Sequence, residues 1–186
     1  VKIHFSNGRI LSENGILHGD LITEDGKILY LGPPAEKSDE DRYIDLQGNL
    51  LLPGFKNAHT HSPMTFLRSF ADDLPLAQWL NEQVFPREAK LTPEDVYWLS
   101  KLAFLEYLSG GTTAAFDMYF HLEAIAAAAV EYGFRMVFCG AINRFGGTVA
   151  AEAEACEKFS RYQERLSYQL GVHAEYTTDL SRMAEL

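Results

Sequence analysis

His59 and His61 stand one residue apart in residues 53–64, PGFKNAHTHSPM. Side chains at i and i+2 of a strand share a face. A strand ending here therefore aims both imidazoles to one side. Neutral imidazole is a good ligand for Zn²⁺ or Fe²⁺. Two nitrogens make a weak metal site alone, so the reading asks for further ligands elsewhere. Stripped of its flanks, the same pair also fits surface or core histidines.

The elements around the pair follow from periodicity and punctuation. Residues 1–54 read as β structure, short alternating runs broken by turns such as SENG, EDGK and LQGN. Asp25-Gly26 supplies the positive φ of a tight hairpin turn. Pro33-Pro34 and the charged run EKSDEDR read as an exposed loop. After Pro53 the pattern alternates. GFKNAH is a strand and PLAQWLNEQVF a helix. TPEDVYWLSKLAFLEYLSGG is a second helix, with Thr92 as N-cap, Pro93 in the first position and Gly110-Gly111 as the stop. TTAAFDMY, RMVFCGA and SYQLGVHA are strands. HLEAIAAAAVEYG and TVAAEAEACEKFSRYQ are helices, and Thr178 is the expected cap of a last helix, DLSRMAEL. Such β/α alternation argues for parallel strands with crossover helices, in a doubly wound sheet or a (β/α)8 barrel. His59 and His61, Asp117 and His173 all fall at expected strand ends, where such folds carry their chemistry.

Composition excludes several classes. The 186 residues carry a formal net charge of −10, which disfavours nucleic acid, since phosphate binding needs clustered Lys and Arg. Two cysteines, Cys139 and Cys156, do not make a secreted disulfide framework. The first residues alternate rather than forming a signal-like apolar block, and no run approaches a membrane span. The expected compartment is the cytoplasm, with no membrane and no nucleic acid as partner. SGGTT precedes a strand rather than joining a strand to a helix, so it is not a phosphate loop.

The string LLPGFKNAHTHSPM resembles the first barrel strand of the amidohydrolase superfamily, an apolar run, Pro-Gly-Phe, then Asn-x-His-x-His. The segments HSPMTFLRSFADDLPLAQWLNEQVFPREAKLTPEDV and GTTAAFDMYFH resemble its branch of S-adenosylhomocysteine and 5′-methylthioadenosine deaminases, near the chlorohydrolases and guanine deaminases. The resemblance implies an α/β fold: the N-terminal part of a (β/α)8 metal-dependent hydrolase barrel, preceded by strands of a small β-sandwich. The expected division is 1–54 for the sandwich strands and 55–186 for about four β/α units. The implied reaction is hydrolytic deamination of an adenosine-type nucleoside. One divalent metal, zinc or iron, makes water a nucleophile at neutral pH, and carboxyl groups move the protons.

Residue by residue, the resemblance makes His59 and His61 metal ligands and Glu88 the acceptor of the ribose hydroxyls. It places Trp79 beside the purine or ribose and His173 within reach of substrate. Each has a plainer alternative: a surface glutamate, a core tryptophan, a structural histidine. Asp117 is either a support for a ligand histidine or a helix cap, and His121 is expected only to start a helix. Arg68 and Asp72-Asp73 belong to a polar loop at the mouth. Asn143 and Arg144 follow the third barrel strand, where an arginine would suit a substrate carboxylate.

The family's other ligands and its general-acid glutamate come from later strands that residues 1–186 do not contain. The expectation is therefore a part of a longer polypeptide, inactive and poorly soluble alone, and homo-oligomeric when intact. Two alternatives remain: the same fold acting on guanine, an aminotriazine or another amino-heterocycle, and a non-catalytic truncated relative.

Overall fold

A computed structural model describes residues 1–38, 42–143, 146–162 and 164–186. The chain divides into two compact units, Val1–Pro53 and Gly54–Leu186.

The first unit is a five-stranded sheet of β1 (Lys2–Ser12), β2 (Gly15–Glu24), β3 (Lys27–Gly32), β4 (Arg42–Asp45) and β5 (Leu50–Leu51). β1 pairs antiparallel with β2 and parallel with both β4 and β5. The β2–β3 hairpin turns on Asp25 and Gly26, at φ 49° and 80°, the left-handed pair that a two-residue turn needs. Inside the unit, His4 Nε2 lies 2.8 Å from Asp20 Oδ2, and both residues are buried. Asp20 also accepts the Ala35 and Asn7 N–H groups. Burial pushes its carboxyl up, but these hydrogen bonds outweigh burial and hold it below the ordinary 3.8. A carboxyl depressed on folding stabilises above its unfolded pKa, and that stability is lost as pH falls through the folded value. Asp20→Ala is therefore expected to cost about 3 kcal/mol at neutral pH, since it strands several buried donors. The difference from wild type should shrink below about pH 4 in urea titrations. An equal loss at every pH would dismiss the ionised carboxylate as the cause.

Among the described residues, the second unit holds four strands, β6 (Phe55–Thr60), β7 (Thr112–Asp117), β8 (Arg135–Cys139) and β9 (Leu166–Gln169). They pair parallel in the order β6-β7-β8-β9. A doubly wound sheet reverses its strand order at a switch point; here each strand simply adds beside the last. The helices are α1 (Leu76–Gln78), α2 (Phe85–Glu88), α3 (Pro93–Ser109), α4 (Leu122–Tyr132), α5 (Val149–Tyr162) and α6 (Leu180–Glu185). α3 opens on a full capping box, Thr92 and Asp95 exchanging hydrogen bonds. The core joins one face of the sheet to α3, α4 and α5. Ala115 and Met136 belong to it, Phe104 stacks on Phe134 at 4.8 Å, and Phe138 meets Phe159 at 4.9 Å.

Three local expectations need correction. PLAQWLNEQVF is not one α-helix: a wide π-helical stretch, Trp79–Val84, separates α1 from α2. Pro86 has no N–H to give back to the preceding turn, a common cause of a change in helix pitch. Thr178 does not cap α6. Its hydroxyl donates to the Ile142 carbonyl at 2.9 Å, and Asp179 accepts the Arg182 N–H instead. The fourth strand is shorter than SYQLGVHA, ending at Gln169, and a single Ile142–Val172 bridge continues the pairing toward His173.

The C-terminal end of β8 rests on a buried carboxylate. Glu152 accepts the Tyr168 hydroxyl at 3.0 Å and the Ala141 N–H at 3.3 Å. A Cβ at Gly140 would lie 1.5 Å from Glu152 Oε2. Gly140→Ala must therefore displace a buried, hydrogen-bonded carboxylate, and is expected to cost about 3 kcal/mol in denaturant melts. A loss under about 0.5 kcal/mol would mean that Glu152 moves freely.

Candidate metal centre

β6 delivers His59 in its last turn of pleat and His61 one residue beyond its end. The rings lie edge to face, 5.3 Å between centroids. His61 Nδ1 is 2.6 Å from the Met118 carbonyl oxygen. A carbonyl only accepts, so Nδ1 carries the proton and the neutral ring keeps its lone pair on Nε2. That is the tautomer of a metal-ligating histidine, oriented by a backbone carbonyl. The donor set therefore fits a divalent metal. Among the described residues, no group of three or more His, Cys, Asp or Glu could hold such an ion.

The backbone around the pair is pinned from two sides. Asp117, fully buried at the end of β7, accepts the Ser62 N–H with both carboxylate oxygens at 3.2 Å. Burial pushes its carboxyl up to about 6, against the opposing effects of its Ser62 hydrogen bonds and nearby His61. Of the two readings of Asp117, the structure favours a support for the segment that carries the histidine pair, made through the Ser62 N–H. Tyr107 of α3 reaches the same place, its hydroxyl hydrogen-bonded to the side chains of Thr60 and Ser62, the residues flanking His61.

Trp79 and His61 line one cavity of about 310 Å³, together with Met64, Thr65, Arg68 and Tyr107. Arg68 is paired with Glu106 at 2.5 Å there. Glu88, half-buried at the end of α2, accepts the Tyr119 hydroxyl at 2.7 Å. Burial first, and the Glu88 carboxylate second, raise the Tyr119 phenol well above its ordinary value. His173 stands apart, exposed past the end of β9, with two strands of the sheet order, β7 and β8, between β9 and β6. Its Nδ1 lies 2.8 Å from Thr177 Oγ1, whose own proton goes to the Ala174 carbonyl. His173 thus also carries its proton on Nδ1 and keeps Nε2 as an acceptor. His121 is the N-cap of α4 at φ 55°, its carbonyl accepting the Ala124 N–H at 2.9 Å and its side chain making no capping hydrogen bond. Arg144 lies outside the described residues.

Sequence reasoning missed Tyr107, Tyr119 and the Met118 carbonyl. Tyr119 lay within reach, two residues past Asp117 at an expected strand end. Tyr107 is 47 residues from Thr60, and no spacing connects the two.

Residues 50–186 match the model of the Amidohydrolase family. A 5-methylthioadenosine/S-adenosylhomocysteine deaminase of Moorella thermoacetica is 42% identical over 178 residues, covering 90% of this chain and 42% of that protein. A 5′-deoxyadenosine deaminase of Methanobrevibacter smithii is 38% identical over 168 residues, covering 87% of this chain and 39% of that protein. The chain therefore spans less than half the length of these relatives. Among solved structures, an adenosine deaminase from Xanthomonas campestris with bound zinc superposes with a TM-score of 0.79 at 27% identity, over 98% of this chain and 45% of that one.

Proposed function

The chain belongs to the amidohydrolase family, and on that premise we propose that a polypeptide of the relatives' length carrying it is a metal-dependent aminohydrolase. Its substrate is an adenosine-type nucleoside: S-adenosylhomocysteine, 5′-methylthioadenosine or adenosine. Residues 55–186 are the first half of a (β/α)8 barrel and residues 1–54 are strands of a β-sandwich, a division that the two compact units meeting at Pro53 and Gly54 support. The unreversed strand order supports the first reading. The metal is zinc, in a homo-oligomeric cytoplasmic enzyme. The zinc bound in the Xanthomonas campestris adenosine deaminase supports zinc; the acidic composition is the basis for the cytoplasm.

The observation that carries the proposal is the His61–Met118 hydrogen bond, which leaves Nε2 of a strand-end histidine free to ligate. A divalent metal held by His59, His61 and ligands from further strands supplies a nucleophilic water at neutral pH. The chain's own residues position the reactants. Asp117 and Tyr107 hold the backbone that carries the histidines. Trp79 walls the cavity beside His61, Glu88 receives the ribose hydroxyls, and His173 Nε2 accepts a hydrogen bond from substrate. The reaction exchanges the purine amino group for oxygen and releases ammonia.

The test is ammonia release from S-adenosylhomocysteine, 5′-methylthioadenosine and adenosine by the purified full-length protein with one equivalent of zinc. Turnover of these, abolished by chelation and restored by zinc, is the expected result. Turnover of guanine or an aminotriazine alone would transfer the site to another amino-heterocycle. Absence of bound metal in the purified protein would favour a non-catalytic relative.

A further inference from the structure

Three consecutive residues at the end of β7 each hold a different part of the site. Asp117 takes the Ser62 N–H, the Met118 carbonyl takes the His61 ring, and the Tyr119 hydroxyl donates to Glu88 Oε1 at 2.7 Å. The last contact crosses from the sheet to the end of α2. Glu88 sits at that helix end on a side chain with three rotatable bonds, so its carboxylate needs an external anchor to keep one orientation. Tyr119 is well placed to be that anchor. Its ring stacks on Phe120 at 4.1 Å between centroids and packs against the core. Glu88 Oε2 receives no hydrogen bond from the described residues.

From this geometry, and resting on the ribose role proposed for Glu88, we propose that Tyr119 is a positioning residue that sets selectivity for ribose over deoxyribose. Its hydroxyl occupies one lone pair of Oε1 and fixes the plane of the carboxylate. One site remains on Oε1 and two on Oε2. Adjacent hydroxyls of a cis-diol can donate to these together, each to its own oxygen. Because the same tripeptide orients His61, the sugar-reading carboxylate and the metal-binding imidazole share one rigid frame. A ribose held by Glu88 is thereby registered against the reacting end of the substrate.

The experiment compares adenosine with 2′-deoxyadenosine in the full-length zinc enzyme, using wild type, Tyr119→Phe, Glu88→Gln and the double variant. Tyr119→Phe keeps the stacked ring and removes only the hydroxyl. It is expected to lower the ribo-to-deoxy ratio of kcat/KM about tenfold, a typical loss when a hydrogen bond to a charged group is deleted. The loss should fall mainly on KM, and the melting temperature should change little. The double variant should show the ratio of Glu88→Gln alone, since Tyr119 acts through Glu88. If Glu88→Gln lowers the ratio and Tyr119→Phe does not, Tyr119 has no positioning role. If Glu88→Gln leaves the ratio intact, the ribose reading itself fails. If Tyr119→Phe does not fold, Glu88→Asp takes its place: it keeps the charge but draws the carboxylate one methylene back from the Tyr119 hydroxyl, so the ratio should fall, and an unchanged ratio would overturn the proposal.

Discussion

His61→Ala in the full-length protein is expected to lose tightly held zinc and to reduce kcat by about 10³-fold or more. The physical basis is the lone pair on Nε2. The Met118 carbonyl fixes the proton on Nδ1, so the ring is set to ligate rather than to donate. On the proposed reading, alanine would remove one of the metal's ligands. Losing about 4 kcal/mol of the charge stabilisation that a metal provides is worth three decades in rate. Zinc per protomer, measured by elemental analysis after gel filtration, checks the cause independently of rate. A variant that keeps full zinc and wild-type turnover would remove His61 from the ligand set. Fold should survive, because the Ser62 N–H still bonds Asp117 and Tyr107 still holds Thr60 and Ser62.

Glu88→Ala is expected to divide substrates by their sugar. On the proposed ribose role, a ribose-bearing nucleoside would lose two hydrogen bonds to a charged acceptor, so its kcat/KM should fall by about 10²-fold. A free amino-heterocycle of the same ring system should change less than threefold, having no hydroxyls to donate. Steady-state rates on such a pair decide the matter. Equal losses on both would show that Glu88 supports the site as a whole and would withdraw the ribose assignment. The alanine also frees the Tyr119 hydroxyl, which the half-open position of Glu88 allows water to satisfy.

These two residues also show how far the sequence reached. The strand-end placement of His59 and His61 was legible because the information is local: a strand period of two and a distinctive flanking string. Thr92, Pro93 and Gly110-Gly111 were legible for the same reason, since caps and stops act on their own turns. The π-helical stretch was not foreseen, although Pro86 marked the place where a regular ladder would fail. Thr178 was assigned the wrong partner because Asp179, one residue on, competes for the same cap while the Ile142 carbonyl draws the threonine away.

By itself the sequence determined the order of strands and helices, the strand-end placement of the histidine pair and the family likeness. Each rests on contacts within one element or on a contiguous string. Only the tertiary structure decided the unreversed order β6-β7-β8-β9, the proton on His61 Nδ1, the Tyr107 anchor and the Tyr119–Glu88 bond. The partners in these last three contacts are 57, 47 and 31 residues apart in the chain. In the His61 case the acceptor is a backbone carbonyl, which every residue carries. A carbonyl leaves no mark of its role in a sequence; the packing of β7 against β6 is what gives it one.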